Sequence, residues 1–219
     1  MELILASNQA GPCGLEAALA EARMAHIDYY FSVLSPFAYL AGDRMERIAD
    51  KHGASVTYRP VNRMPVLAET GGTPPPKRHP SRQAYRLQEL PRIATLNGMK
   101  INISPAHWPT NFTPATAAVL AAEAAGADAG AVARAALSAC WAEEKDIADI
   151  EVMGECLAAG GMEPADLAAH IEDALAQIDP LTDEAIARGV FGAPSYVVGD
   201  EIFWGQDRLP HLDAYLGTL

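Results

Sequence analysis

The chain has 219 residues, half of them hydrophobic and a fifth charged, with a formal net charge of −12. That length makes one domain, or one domain with a sizeable insertion, and supplies enough apolar side chain for a core. The acidic balance argues against nucleic-acid binding, which needs a basic face, and no apolar run approaches the ~18 residues of a membrane span.

Residues 1–26 read as an N-terminal extension. No Lys or Arg precedes Arg23, so a secretory signal is not expected. Met24-Ala25-His26 leads straight into the first strand-like run, and translation is expected to begin at Met24. Residues 27–34 (IDYYFSVL) form that run and predict a strand. Ser35-Pro36 follows at once, then an apolar-periodic segment from Phe37 to His52, closed by Gly53. This predicts a helix over 36–52 with Ser35 as its N-cap and Pro36 at its first position, where the missing N–H costs nothing. A hydroxyl held at the positive end of a helix suits an anion or a thiolate. Ser-Pro alone, however, does no more than start a helix. Residues 54–60 (ASVTYRP) alternate and are β-branched, a second strand. A β-α-β unit this short predicts a parallel pair.

The composition then changes. Residues 61–80 hold five prolines and two glycines, a loop-rich segment. From 81 to 190 the chain reads as helices, at 81–97, 113–126, 130–144, 149–159, 164–178 and 180–189. The strand character returns at 194–199 (PSYVVG) and 201–204 (EIFW), with Gly199-Asp200 as the hairpin turn. A last helix is predicted over 207–216. The order β-α-β, helical block, β-β-α describes an α/β protein, a thioredoxin-like sheet with a large all-helical insertion. The expected division is 27–62 with 190–219 for the sheet and 63–189 for the insertion.

The cysteines, Cys13, Cys140 and Cys156, include no C-x-x-C pair and are odd in number. Reduced thiols in a cytoplasmic protein are expected. Six histidines lie far apart without a metal-ligand spacing, so no metal is expected. A G-x-S-x-G elbow is absent, and Ser35 is not presented as a hydrolase nucleophile.

Three stretches carry chemistry together. Ser35-Pro36-Phe37 opens the first helix. In Phe191-Gly192-Ala193-Pro194-Ser195, a proline opens a strand; it is either an ordinary edge proline or a cis-proline that leaves the preceding backbone free for a peptide-like ligand. In Trp204-Gly205-Gln206-Asp207-Arg208 a strand ends and a helix starts. Free N–H groups and an acidic side chain there suit an amino acid's charged end, while Gly-x-Asp by itself reads as a helix cap.

With these in place the sequence resembles the 2-hydroxychromene-2-carboxylate isomerases, on residues 35–41 (SPFAYLA), 191–195 (FGAPS) and 199–209 (GDEIFWGQDRL), with Cys140-Trp141-Ala142-Glu143 in the insertion. That family lies on the DsbA-like branch of the thioredoxin superfamily, beside the kappa-class glutathione transferases. The resemblance covers residues 27–219. It implies glutathione as cofactor, a homodimer, and a small aromatic carboxylate as substrate. It implies that Ser35 hydrogen-bonds the glutathione sulfur and that Ala193, before a cis-Pro194, pairs with the cysteinyl part. Gln206, Asp207 and Arg208 would hold the γ-glutamyl end. Phe37 and Trp204 would be apolar walls, with core packing an equal expectation for Trp204. The implied mechanism is thiolate addition to a conjugated enone, bond rotation, and elimination.

The residues themselves support a borrowed thiol. A free thiol of pKa ~8.5 is lowered by a helix N-terminus, and serine donates there without forming disulfides. The absence of Cys at 35 and 38 argues against DsbA-type oxidoreductase chemistry. Residues 59–100 carry eight basic side chains against two acidic ones, half of the sixteen in the chain. This is either a solvated helix face or a positive rim for anionic ligands, with Arg82 and Arg86 as the first candidates for substrate contact. The competing functions are a kappa-like transferase or peroxidase that consumes glutathione, and a non-catalytic thioredoxin-fold binding protein.

Overall fold

The computed structural model describes residues 24–219. The expectation that translation begins at Met24 concerns a segment outside the described residues. The sheet has four strands: β1 (His26–Phe31), β2 (Ser55–Pro60), β3 (Ser195–Val198) and β4 (Glu201–Trp204), in the order β2-β1-β3-β4. β1 pairs parallel with β2, from His26 opposite Ser55 to Phe31 opposite Pro60. It pairs antiparallel with β3, and β3 with β4. This is the thioredoxin-like sheet expected from the element order.

β1 is buried from Ile27 onward, because both faces of the sheet are covered. On one face Tyr29 stacks between Phe31 and Tyr196, with ring centroids 4.6 and 5.1 Å apart, and these rings join the main core. On the other, Tyr30, Val61, Val66, Ala185, Val190 and Val197 form a smaller cluster. Beside that second cluster a polar clasp ties strands to helix. Asp28 accepts from Arg59 Nε at 2.6 Å and also pairs with Arg188; Glu184 accepts from Tyr30 Oη at 2.7 Å.

The first helix differs from its expectation. Instead of one helix over 36–52, there are two: α1 (Pro36–Tyr39) and α2 (Arg44–His52). Gly42, at φ +61°, takes the left-handed conformation that turns the chain between them. The carbonyls freed by the break are met by side chains. Arg44 donates to Ala41 O at 3.0 Å and to Leu40 O at 2.9 Å, and Asn97 Nδ2 donates to Leu40 O at 3.0 Å. Periodicity carried through because the two pieces bury the same side.

The Pro-rich stretch is not all loop. α3 (Arg63–Glu69) lies inside it, capped by Asn62, whose side chain accepts from Met64 N at 3.1 Å. Pro65 sits early enough in α3 to be tolerated. Next come α4 (Pro80–Leu96), α5 (Thr113–Ala125), α6 (Ala129–Trp141) and α7 (Ile150–Ala159), close to expectation. The two helices expected at 164–178 and 180–189 are one, α8 (Pro164–Ala187), which runs through Pro180. The proline removes one helical hydrogen bond, but packing outweighs that loss. α8 lies against α5 and α7, and also against α3 and β2. The chain closes with a 3₁₀ turn (Gln206–Arg208) and α9 (Leu209–Leu216). Among the described residues no helix is long and apolar enough to cross a membrane.

Candidate active site

Ser35 sits at the head of α1, 4% exposed. Its Oγ accepts from Ala38 N at 3.2 Å, the N-cap bond read from the sequence. The hydroxyl hydrogen has only a long contact, to the carbonyl of Ala193 at 3.5 Å. It is free to turn toward a better acceptor at the same corner. The Ala193–Pro194 peptide bond is cis. Ala193 stands two residues before Ser195, where β3 begins pairing with Tyr30 on one side and Trp204 on the other. Its backbone therefore faces the corner and not a strand.

The third stretch closes the same corner. Gly205 N donates to Pro194 O at 2.9 Å, and Gly205 has φ +110°. A Cβ at Gly205 would come within 2.5 Å of Asp207 Oδ1, so the turn requires glycine. Asp207 does not cap α9; the cap position is Arg208, and no side chain bonds the helix start. Asp207 Oδ2 instead meets Arg208 Nη1 at 3.1 Å, with both side chains more than half exposed. An adjacent carboxylate and guanidinium are complementary to a zwitterion, one group for each of its charges. Gln206 is turned inward: its Oε1 accepts from Arg44 Nη2 at 2.5 Å.

These residues line one cavity of about 520 Å³. It gathers Ser35, Phe37, Arg86, Ala193, Pro194, Trp204, Gln206, Asp207 and Arg208 from the sequence-based candidates. Arg82 is the exception. It is exposed and opens onto a neighbouring hollow of about 480 Å³ with Ser81 and Tyr85. Trp204 is a wall and not core: it is 51% exposed and meets Phe191 edge-to-face at 4.8 Å. Its indole lies over Gly192, where a Cβ would be 2.3 Å from Nε1.

The cavity also holds residues that sequence reasoning did not single out. Val66 and Leu67 come from α3, Ile93 and Leu96 from α4, and Arg63 and Arg78 stand beside Arg86. The local charge excess over residues 59–100 pointed at the region. The signal for α3 was Asn62 before an apolar pair, obscured by the flanking prolines and glycines. Away from the cavity, Cys140 and Cys156 are buried free thiols, and burial pushes them up to about 12 and about 11. Among the described residues no group of His, Cys, Asp and Glu could hold a metal ion.

A four-stranded mixed sheet, a reactive-type corner at a helix N-terminus and a cis-proline opposite it define a thioredoxin-fold protein of the DsbA type. The family model for the DSBA-like thioredoxin domain matches residues 26–217. The 2-hydroxychromene-2-carboxylate isomerase of Sphingobium xenophagum is 31% identical over 194 residues, 87% of this chain and 97% of that protein. The isomerase of the same name from Pseudomonas putida is 28% identical over 197 residues, 88% and 95% of the two chains. A solved 2-hydroxychromene-2-carboxylate isomerase structure superposes with a TM-score of 0.73 at 28% identity, covering 88% of this chain and 95% of that one. The chain belongs to the DsbA-like thioredoxin family, on the branch of the 2-hydroxychromene-2-carboxylate isomerases.

Proposed function

We propose that this protein is a glutathione-dependent isomerase of an aromatic-derived carboxylate of the 2-hydroxychromene-2-carboxylate type. The observation that carries the reading is the Ser35 hydroxyl, capping α1 with its oxygen while its hydrogen is free beside Ala193. The names of the relatives supply the reaction class.

The residues present fit glutathione. Asp207 and Arg208 suit the zwitterionic γ-glutamyl end, the backbone of Ala193 suits a peptide-like middle, and Ser35 lies where the thiol would fall. When bound, glutathione supplies reversible thiolate addition, which splits a hard double-bond rotation into easier steps. Ser35 donates a hydrogen bond to the sulfur, and the N-terminus of α1 adds its partial positive charge; both favour the thiolate. Phe37, Trp204 and Phe191 supply apolar walls to the same cavity. No described cysteine competes, since Cys140 and Cys156 lie in the core. A homodimer belongs to the same reading and rests on the resemblance alone, while a cytoplasmic location rests on the odd number and spacing of the cysteines.

Turnover of 2-hydroxychromene-2-carboxylate with sub-stoichiometric glutathione tests the proposal. Many turnovers per glutathione are expected. Consumption of one glutathione per product would instead assign a kappa-like transferase. No heat of glutathione binding in calorimetry would sink both enzyme readings in favour of a binding protein.

A further inference from the structure

A 2-hydroxychromene-2-carboxylate is a cyclic hemiketal. The carbon that bears its carboxylate also bears a hydroxyl and the ring oxygen. That carbon is saturated, so the ring double bond is conjugated to no carbonyl and offers a thiolate nothing to add to. The enone exists only after the ring opens. The hydroxyl loses its proton, its oxygen becomes a carbonyl, the bond to the ring oxygen breaks, and that oxygen leaves as a phenolate and takes a proton. Such a step needs a group that can hold a proton beside the ligand. The residues lining the main cavity include no His, Lys, Cys or Tyr, and arginine does not deprotonate in proteins. Two carboxylates remain, Asp207 and Glu89. Asp207 is paired with Arg208. Glu89, partly buried on α4, is engaged by no hydrogen bond or ion pair among the described residues. The arginines that could hold it are occupied elsewhere. Arg86, three residues before it, lies over the Trp108 ring at 5.6 Å. Arg92, three residues after it, donates to Gln88 Oε1 at 3.3 Å, and Arg78 donates its Nε to Thr73 O at 2.9 Å. Glu89 and Phe37 both border the main cavity and the neighbouring hollow. The carboxylate therefore stands where the two meet, on the side of a residue two positions from Ser35.

We propose that Glu89 is the proton-transfer group that opens the hemiketal ring. Its carboxylate takes the proton of the hydroxyl as the carbonyl forms, and the carboxyl returns that proton to the departing phenolate oxygen. The two substrate oxygens sit on one carbon, so one carboxylate with two acceptor oxygens reaches both. No proton is gained or lost overall, and no further reactant is needed. The role rests on the isomerase reading for its substrate, but not on glutathione, which acts only after the ring is open.

Ring closure, the same step in reverse, can be followed without glutathione. Alkali opens the hemiketal to its phenolate, and a stopped-flow jump into neutral buffer containing the protein reads closure by absorbance. The native protein is expected to speed closure about a hundredfold, within the range of general acid–base catalysis. Glu89→Gln removes that acceleration, Glu89→Asp keeps part of it, and Arg92→Gln, exposed on the same helix, keeps all of it. A second substrate isolates the step. The cis isomer of benzylidenepyruvate lacks the phenol hydroxyl and cannot form the ring. With glutathione present, native protein and Glu89→Gln are expected to isomerise it at the same rate, which also shows that the variant is folded. No acceleration of closure by the native protein, or an acceleration that survives Glu89→Gln, would overturn the assignment. Equal slowing of the acyclic substrate in Glu89→Gln would overturn it too, by placing Glu89 outside the ring-opening step. Closure that depends on Glu89 in a protein that leaves the acyclic substrate untouched would uphold Glu89 and remove the glutathione reading instead.

Discussion

The guanidinium of Arg44 holds the side-chain carbonyl of Gln206 at 2.5 Å. The same group caps Leu40 O and Ala41 O where the first helix breaks. One side chain therefore fixes both the end of the Ser35 helix and the start of the Asp207-Arg208 turn, with 162 residues of sequence between Arg44 and Gln206. Arg44→Met is expected to lower stability by about 2 kcal/mol, since a charged hydrogen-bonding group is lost from a partly buried site. It is also expected to weaken glutathione binding although Arg44 does not line the cavity. Thermal melts and calorimetry on the same sample separate the two effects.

Ser35→Ala removes the donor and leaves the apolar surroundings intact. The cap bond it loses is worth about 1 kcal/mol, so the fold persists. Under the proposed function the pKa of bound glutathione rises, and turnover at neutral pH falls by about two orders of magnitude or more, the scale of losing one positioned donor. Ultraviolet titration of the bound thiolate and steady-state rates read this. Unchanged rates would remove Ser35 from the mechanism.

Asp28 contributes to the acid side of the stability curve. Burial alone would raise its carboxyl, but the hydrogen bonds and charges of Arg59 and Arg188 outweigh it and hold it below the ordinary 3.8. A carboxyl depressed in the folded state stabilises fully above its unfolded value, and that contribution is lost as pH falls through the folded value. Asp28→Asn is expected to cost about 3 kcal/mol at neutral pH by leaving two arginines without their shared partner. It should also flatten the loss of stability below pH 3.8. Urea melts from neutral to acid pH check both.

Cys140 and Cys156 are expected to resist alkylation in the folded protein, because thiols pushed up to about 12 and about 11 carry almost no thiolate at pH 8. Iodoacetamide followed by peptide mapping should find both unmodified, and both modified after unfolding.

Gly192→Ala places a methyl where the Trp204 indole now lies. Trp204 is half exposed, so it moves at a stability cost below about 1 kcal/mol. Its fluorescence should shift toward that of a solvated indole as the wall opens.

The architecture was legible because its signals are local. Strand patterns, a capping serine and the Gly199-Asp200 turn each specify their own conformation, and their order gives the sheet. The corner was legible because three short stretches keep recognisable chemistry. What escaped were features set by long-range packing. Gly42 breaks a helix whose apolar period runs through it. Pro180 fails to break a helix because the residues around it, Ile178, Thr182 and Ala185, are buried and hold the helix on. Asp207 looks like a cap, but Gly205 turns the chain so that its carboxylate meets Arg208 instead. Arg63 and Arg78 are ordinary basic residues in sequence. Only the cavity wall, to which α3, α4 and the segment between them all contribute, makes them neighbours.

α8 gives the molecule a mechanical property. Its 24 residues span about 36 Å, from the packed helices α5 and α7 to the clasp at Asp28 and Arg59. A continuous helix transmits a push along its length and does not fold at its middle. Thr182, in its last two turns, accepts from Asn62 N at 3.1 Å, next to the start of α3 and therefore next to Arg63. That one hydrogen bond ties the C-terminal part of α8 to the start of α3, so the side of the cavity built by Val66 and Leu67 is anchored to the helical block.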